Sequence, residues 1–246
     1  MKVMTDIFVF MIFACIGSFI GVCYDRIPRG EKIWKGRSHC DACGRTLGVL
    51  ELIPVISFLC LRGRCRKCKG KIAITSTLVE IFTAVFGTLT VIVNGLTVQG
   101  IVFGFASCIL FEIALLDQKT MEISDLSCLL IAVCGVILMV VNGSYISSLI
   151  GMVCVSLPFL VLTLLGGMGM GDVKLMCAVG ILLGWQQTLL AAFFGIVIGS
   201  AAALILKTNN KRGWKSEIPF GPYLCIGTFL SMLVGPQCIA MYLSLL

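Results

Sequence analysis

The apolar residues of this chain fall into long runs broken only by short polar segments, and that arrangement decides the fold class. A membrane span needs roughly 20 apolar residues, and fewer where it packs against protein. Candidate spans cover roughly 4–24, 74–94, 98–116, 127–142, 145–166, 173–184, 187–206 and 222–246. Such runs are far too long for barrel strands, and backbone exposed to lipid must satisfy its own hydrogen bonds, so they are helices. The chain is 59% hydrophobic and 13% charged, where a soluble domain carries about 25% charged residues. The sequence therefore predicts an all-α integral membrane protein, a polytopic helical bundle of about eight transmembrane helices, in contact with the lipid bilayer. No internal repeat or low-complexity tract interrupts it.

The formal net charge of +7 could suggest a nucleic-acid partner, but its distribution argues against one. Twelve of the 19 Lys and Arg lie between Arg26 and Lys71, with four acids (Asp25, Glu31, Asp41, Glu51) in or beside that stretch. One loop therefore holds the whole excess, and the positive-inside rule makes it cytoplasmic. The run from Met1 to Tyr24 lacks a small-x-small cleavage site and precedes the basic cluster, so it reads as a retained first span with an external N-terminus. With eight spans, segments 117–126, 167–172 and 207–217 then share the cytoplasmic side. The last carries Lys207, Lys211, Arg212 and Lys215, which fits the same rule. The expected divisions are 1–25 as first span, 26–72 as cytoplasmic loop and 73–246 as the main membrane domain.

Nine of the 14 cysteines lie in predicted spans, where they behave as small apolar residues. The other five are in the loop, whose cytoplasmic side disfavours disulfides. There, "SHCDACG" and "GRCRKCKG" form two C-x2-C pairs, Cys40 with Cys43 and Cys65 with Cys68. Four thiolates make a closed tetrahedral Zn²⁺ site, with no position left for water and therefore a structural role. Arg64, Arg66, Lys67 and Lys69 lie close enough in sequence to favour thiolate. Redox thiols and free cysteines are the alternatives. Cys60 breaks the pattern and is expected to pack in "VISFLCL". His39, the only histidine, is better read as a solvated neighbour than as a ligand, which leaves nucleophilic Ser-His or Cys-His catalysis without support.

An acid beside a membrane helix is costly, so Asp172 in "GGMGMGDVKL" is a functional candidate. Asp117, in "IALLDQKTMEISD", falls at a span end on the same side. Two carboxylates in a partly dry site share a proton and can act as general base and general acid on one water molecule. That is the chemistry of aspartic proteolysis. The glycines flanking Met170 would let a substrate strand approach the backbone. A capping role competes for Asp172 at a helix starting at Val173, and for Asp125 at the fourth span. Asp117 follows a helix, where an acid opposes the dipole, and has no such explanation. Gly195, Gly199, Ala201 and Ala202 read as helix-packing residues.

Several ordered motifs resemble those of the type IV prepilin peptidases, including the competence-pseudopilin processing enzymes. "GSFIGVCYDRIPRGE" is similar to the family's opening signature, and the paired cysteines after "IPVISFLCL" to its zinc-type loop. "LLDQKTMEISD" and "GMGDVKL" resemble its two catalytic aspartate segments, and "IPFGPYL" the block before its last span. The resemblance implies that Asp117 and Asp172 are the catalytic pair of a membrane endopeptidase in the bacterial inner membrane, acting on the cytoplasmic side. It implies prepilin or pseudopilin substrates cut after a glycine, between a basic leader and an apolar helix. Methylation of the new N-terminus from S-adenosylmethionine often follows in the family; a peptidase without it is the alternative. The family's Ile-Pro-Asp is Ile123-Ser124-Asp125 here, which leaves the local turn open. A basic leader would not be drawn to a basic loop, so Glu80, Glu112, Glu122 and Asp125 are candidate local acids, with helix packing or methylation as other roles for Glu80. A proton-coupled transporter and a non-enzymatic assembly scaffold are the competing classes.

Overall fold

In the computed structural model, residues 2–30, 32, 38–40, 42–72, 74–208 and 219–244 are described. The predicted basic segment at Lys211, Arg212 and Lys215 lies outside them, as do Ile218 and the last two residues of the eighth predicted span. Ten α-helices account for most of the described residues: α1 (Lys2–Arg26), α2 (Ile56–Cys60), α3 (Ile74–Asn94), α4 (Val98–Thr120) and α5 (Asp125–Asn142). They are followed by α6 (Tyr145–Cys154), α7 (Ser156–Leu164), α8 (Met170–Leu183), α9 (Trp185–Thr208) and α10 (Gly221–Ser244). Among the described residues, seven stretches are long and apolar enough to cross a membrane, counting α6 and α7 together as Tyr145–Leu164. This is a multi-pass membrane protein.

The sixth predicted span differs from the rest. Its helix, α8, has 14 residues, about 21 Å at 1.5 Å per residue, against a hydrocarbon core of about 30 Å. It survives at that length because it is enclosed by protein. Leu175, Met176 and Val179 have no exposed surface, and α8 packs on α5, α6 and α7.

Helix α4 joins two cores. On one side Phe13 and Ala14 of α1, Val79 and Ala84 of α3 and Cys108 of α4 form a cluster. On the other, Leu110 and Ile113 of α4 pack with Ile131 of α5, Leu175 of α8 and Leu224 of α10. Gly195 and Gly199 of α9 take the packing role expected of them. A Cβ at either would come within 3.1 and 2.8 Å of Leu224 and Phe220 respectively, so bare backbone lets α10 lie close.

At one end of the bundle Lys119 of α4 donates from Nζ to the Tyr24 carbonyl at 3.0 Å and lies 4.1 Å from the centre of the Tyr24 ring. The loop leaving α1 and the end of α4 therefore share a face. The loop is anchored to that face again where Val55 donates its N–H to Glu80 Oε2 at 2.9 Å.

Candidate active site and metal centre

Asp117 and Asp172 come from different helices and line one cleft of about 1020 Å³, which also includes Ile123, Gly169, Lys174 and Phe220. They are 5% and 7% exposed, and their charges are near enough to act on each other. The cleft is lined by both polar and apolar residues and is partly open.

Each carboxylate meets a helix N-terminus: Asp172 that of its own helix, α8, and Asp117 that of α10. Helix α4 extends to Thr120, four residues beyond its predicted limit, so Asp117 lies inside the last turn rather than after it. Its carbonyl accepts from Met121, which adopts the left-handed conformation (φ 58°) that ends the helix. A carboxylate there opposes its own dipole. The opposition is offset by α10, whose first residue, Gly221, donates its N–H to Asp117 Oδ2 at 3.1 Å. That amide is one of the unsatisfied donors of a helix start, and it finds an anion. Asp172 is the third residue of α8, and Gly169, not Asp172, is the cap of that helix. The capping alternative fails by register, while the carboxylate still lies favourably in the first turn.

The sequence reading left Gly221 and Ile123 without a role at the site, and the structure supplies one. A Cβ on Gly221 would come within 2.6 Å of Asp117 Oδ2 and 3.2 Å of Ile123. A Cβ on Gly171 would approach Ile123 at 3.0 Å. Ile123 is therefore a spacer that seats the starts of α8 and α10 against the α4–α5 turn. The missing side chain of Gly171 makes room for this contact, and Gly171 also lines the cleft. The available signal was a glycine between two prolines, Pro219 to Pro222. Gly221→Ala should lower proteolysis at the aspartate pair by about 10–100-fold, because a shift of about 1 Å in a reacting group can cost 10²-fold. The membrane level of the variant should be unchanged. A normal cleavage rate in a quantitative immunoblot time course would remove Gly221 from the site.

The four candidate acids divide evenly. Glu122 and Asp125 line the cleft. Asp125 is the first residue of α5, after the Ser124 cap, and pairs with Lys174 Nζ at 2.6 Å, so its expected capping role is corrected to an exposed ion pair. Glu112 faces another way and accepts from Ser127 Oγ at 2.8 Å. Glu80 belongs to the loop tether described above.

The loop cysteines converge. The Sγ atoms of Cys40, Cys43, Cys65 and Cys68 all lie within 4.8 Å of one another, with Cys40 and Cys68 at 3.8 Å. Tetrahedral Zn–S bonds of about 2.3 Å put sulfurs about 3.8 Å apart, so the donor set fits zinc. The two pairs are near-copies. Cys40 N–H bonds the Arg45 carbonyl and Cys65 N–H the Gly70 carbonyl; Gly44 and Lys69 donate back to Cys40 and Cys65. Bridges His39–Thr46 and Arg64–Lys71 close the two turns in the same register. Backbone N–H groups of Cys68 and Lys67 hold the Cys65 thiol down to about 6, favouring the metal-binding thiolate. Arg45, paired with Glu51 at 2.5 Å, braces the first turn. His39 and Cys60 stand outside the cluster, and Cys60 is exposed rather than packed as expected.

Residues 11–94 match the Bacterial Peptidase A24 N-terminal domain, and residues 104–204 match the Type IV leader peptidase family. Among curated relatives, the prepilin leader peptidase/N-methyltransferase of Aeromonas salmonicida (strain A449) is 31% identical, covering 96% of this chain and 93% of that protein. The protein of the same name from Bacillus subtilis (strain 168) is 29% identical, covering 94% of each. That from Pseudomonas putida is 28% identical, covering 94% of this chain and 91% of the relative. No solved structure matches the chain.

Proposed function

The chain belongs to the type IV leader peptidase family, and from that premise we propose that it removes the leader of prepilin-like proteins and then methylates the exposed N-terminus. The observation carrying the peptidase reading is the convergence of Asp117 and Asp172 in one open cleft. Water held between two carboxylates is deprotonated by one as it attacks the scissile carbonyl. The other protonates the leaving amine. The Gly221 amide and the α10 N-terminus stabilise negative charge on Asp117, which assigns it the base; Asp172 then carries the shared proton.

The cleft opens at the end of the bundle that also carries the basic loop. On the positive-inside rule that end faces the cytoplasm of a bacterial inner membrane. Glu122 and Asp125 supply negative charge at the mouth for a basic leader. An intramembrane transporter would carry its acids nearer the bilayer midplane, whereas these lie in the last turn of α4 and the first turn of α8.

The four loop cysteines would hold a structural Zn²⁺, which supplies a fixed tetrahedral node to a segment without a core cluster of its own. Methyl transfer would draw on S-adenosylmethionine. A second cleft beside the knuckle, lined by four cations, does not suit the sulfonium and amine of that donor, so no step is placed there. Intact-mass measurement of a co-expressed prepilin tests both activities at once. The expected species has lost its leader and gained one methyl group; a full-length precursor refutes the peptidase reading.

A further inference from the structure

The cation-lined cleft lies apart from the aspartate pair. About 600 Å³ in volume, it is bounded by Cys60, Leu61, Arg62, Arg64, Arg66 and Lys69. Among the described residues none of these cations lies within ion-pair distance of a carboxylate; the ion pairs are Arg45–Glu51 and Lys174–Asp125. The four are exposed, so solvent screens their repulsion in part, and an anion entering the cleft would offset the rest. The zinc centre does not account for them all. Four thiolates around Zn²⁺ carry about two negative charges, and Glu51, shared with Arg45, acts on Arg66 from outside the cleft, which still leaves the cleft net positive.

The residues just before the cleft point to the source of that anion. Val49, Leu50, Leu52, Ile56 and Leu59 are 78, 72, 42, 45 and 67% exposed. They lie on two short helical turns, Val49–Leu52 and α2, of an otherwise polar loop. Their height is fixed by the tether. Glu80, 9% exposed, is six residues into α3, about 9 Å along the helix axis. It holds the N–H of Val55, which lies between the two turns. Val55 itself has φ 61°, and Ile56 N–H closes a three-residue turn on the Pro54 carbonyl at 2.5 Å. A β-branched residue at positive φ is strained. The Glu80 hydrogen bond holds the chain in this conformation against the first turns of α3, the end of a span-length helix. Exposed apolar residues there meet acyl chains rather than water, with the cations just beyond them. That is the layout of an interfacial lipid contact.

We propose that the cleft formed by Arg62, Arg64, Arg66 and Lys69 binds the phosphate of an anionic phospholipid headgroup, with Val49, Leu50, Leu52, Ile56 and Leu59 seated in the acyl boundary of the same leaflet. The site holds the basic loop flat on the membrane beside the end of the bundle that carries the aspartates.

The test is native mass spectrometry of the full-length, zinc-loaded protein in detergent, titrated with phosphatidylglycerol, phosphatidylcholine, inorganic phosphate or a short polyglutamate peptide. Wild type should retain phosphatidylglycerol in preference to phosphatidylcholine, and millimolar phosphate should not displace it. Each basic residue near an anionic surface contributes about fivefold. Changing all four to Gln should therefore weaken phosphatidylglycerol binding by at least about a hundredfold, with zinc content retained. If that variant loses zinc, Arg62→Gln, three residues before the nearest ligand, should still show about a fivefold loss. Leu50→Ser with Leu59→Ser should weaken lipid binding while leaving the four cations in place. Equal retention of both lipids overturns the proposal. So does full displacement by phosphate, binding of the peptide instead of lipid, or unchanged lipid binding in zinc-loaded Arg62→Gln.

Discussion

Asp117→Asn and Asp172→Asn are each expected to lower leader cleavage by on the order of 10²–10⁴-fold, the range lost with a general acid or base. The membrane level of each variant should be unchanged. Asparagine keeps the shape of either side chain but cannot give up or accept the proton that the reaction passes through the pair. At position 117 it can still accept from the Gly221 amide at the start of α10, so the packing of Ile123 should be preserved. The comparison variant is Asp125→Asn, which removes an exposed ion pair with Lys174. Exposed pairs contribute roughly 0–1 kcal/mol, so much of the activity should remain. Cleavage is followed by the mass shift of a co-expressed prepilin. Near-normal processing by either position-117 or position-172 variant would sink the dyad and favour a scaffold role for the chain.

The sequence made the class of fold plain because a bilayer imposes one simple requirement, about 20 apolar residues per span. Seven of the eight candidate spans meet it. α8 did not fit the rule because its length is set by neighbouring helices rather than by lipid, and enclosure by protein leaves no periodic signal distinct from a span. The cysteine cluster was legible for a similar reason: two C-x2-C pairs carry their geometry in local spacing. The aspartates were legible as costly residues, but their surroundings were not. Nothing near Asp117 in sequence reveals the amide 104 positions away that bonds it. Gly221 looked like a helix entrance and proved to be the residue that lets α10 reach the acid. Glu80 looked like a charged residue with several possible roles, and its partner, the Val55 N–H, is a backbone group that no side-chain pattern could indicate.

Removing the metal site should separate the two activities. Replacing Cys40 and Cys43 with Ser deletes two of four thiolates, and structural zinc in such knuckles contributes an apparent 10–16 kcal/mol of folding free energy. Apart from the tether between Val55 and Glu80, the loop has little else to hold it. Its knuckles are closed by a few backbone hydrogen bonds each, and none of its described residues belongs to either buried apolar cluster. The aspartates, in contrast, sit on α4 and α8 and are set by α10 and Ile123, none of which depends on the knuckle. The variant should therefore purify without zinc, measured by inductively coupled plasma mass spectrometry against about one ion per chain in wild type. The aspartate segments are complete without this long loop, which leaves methyl transfer as the activity for it to serve, so the variant should lose N-methylation of a co-expressed prepilin almost completely while leader removal falls much less. A metal-free variant that still methylates fully would detach methyl transfer from the loop. Wild-type protein that cleaves every leader but never adds a methyl group would make this chain a peptidase alone, its knuckle serving only to shape the loop on the membrane.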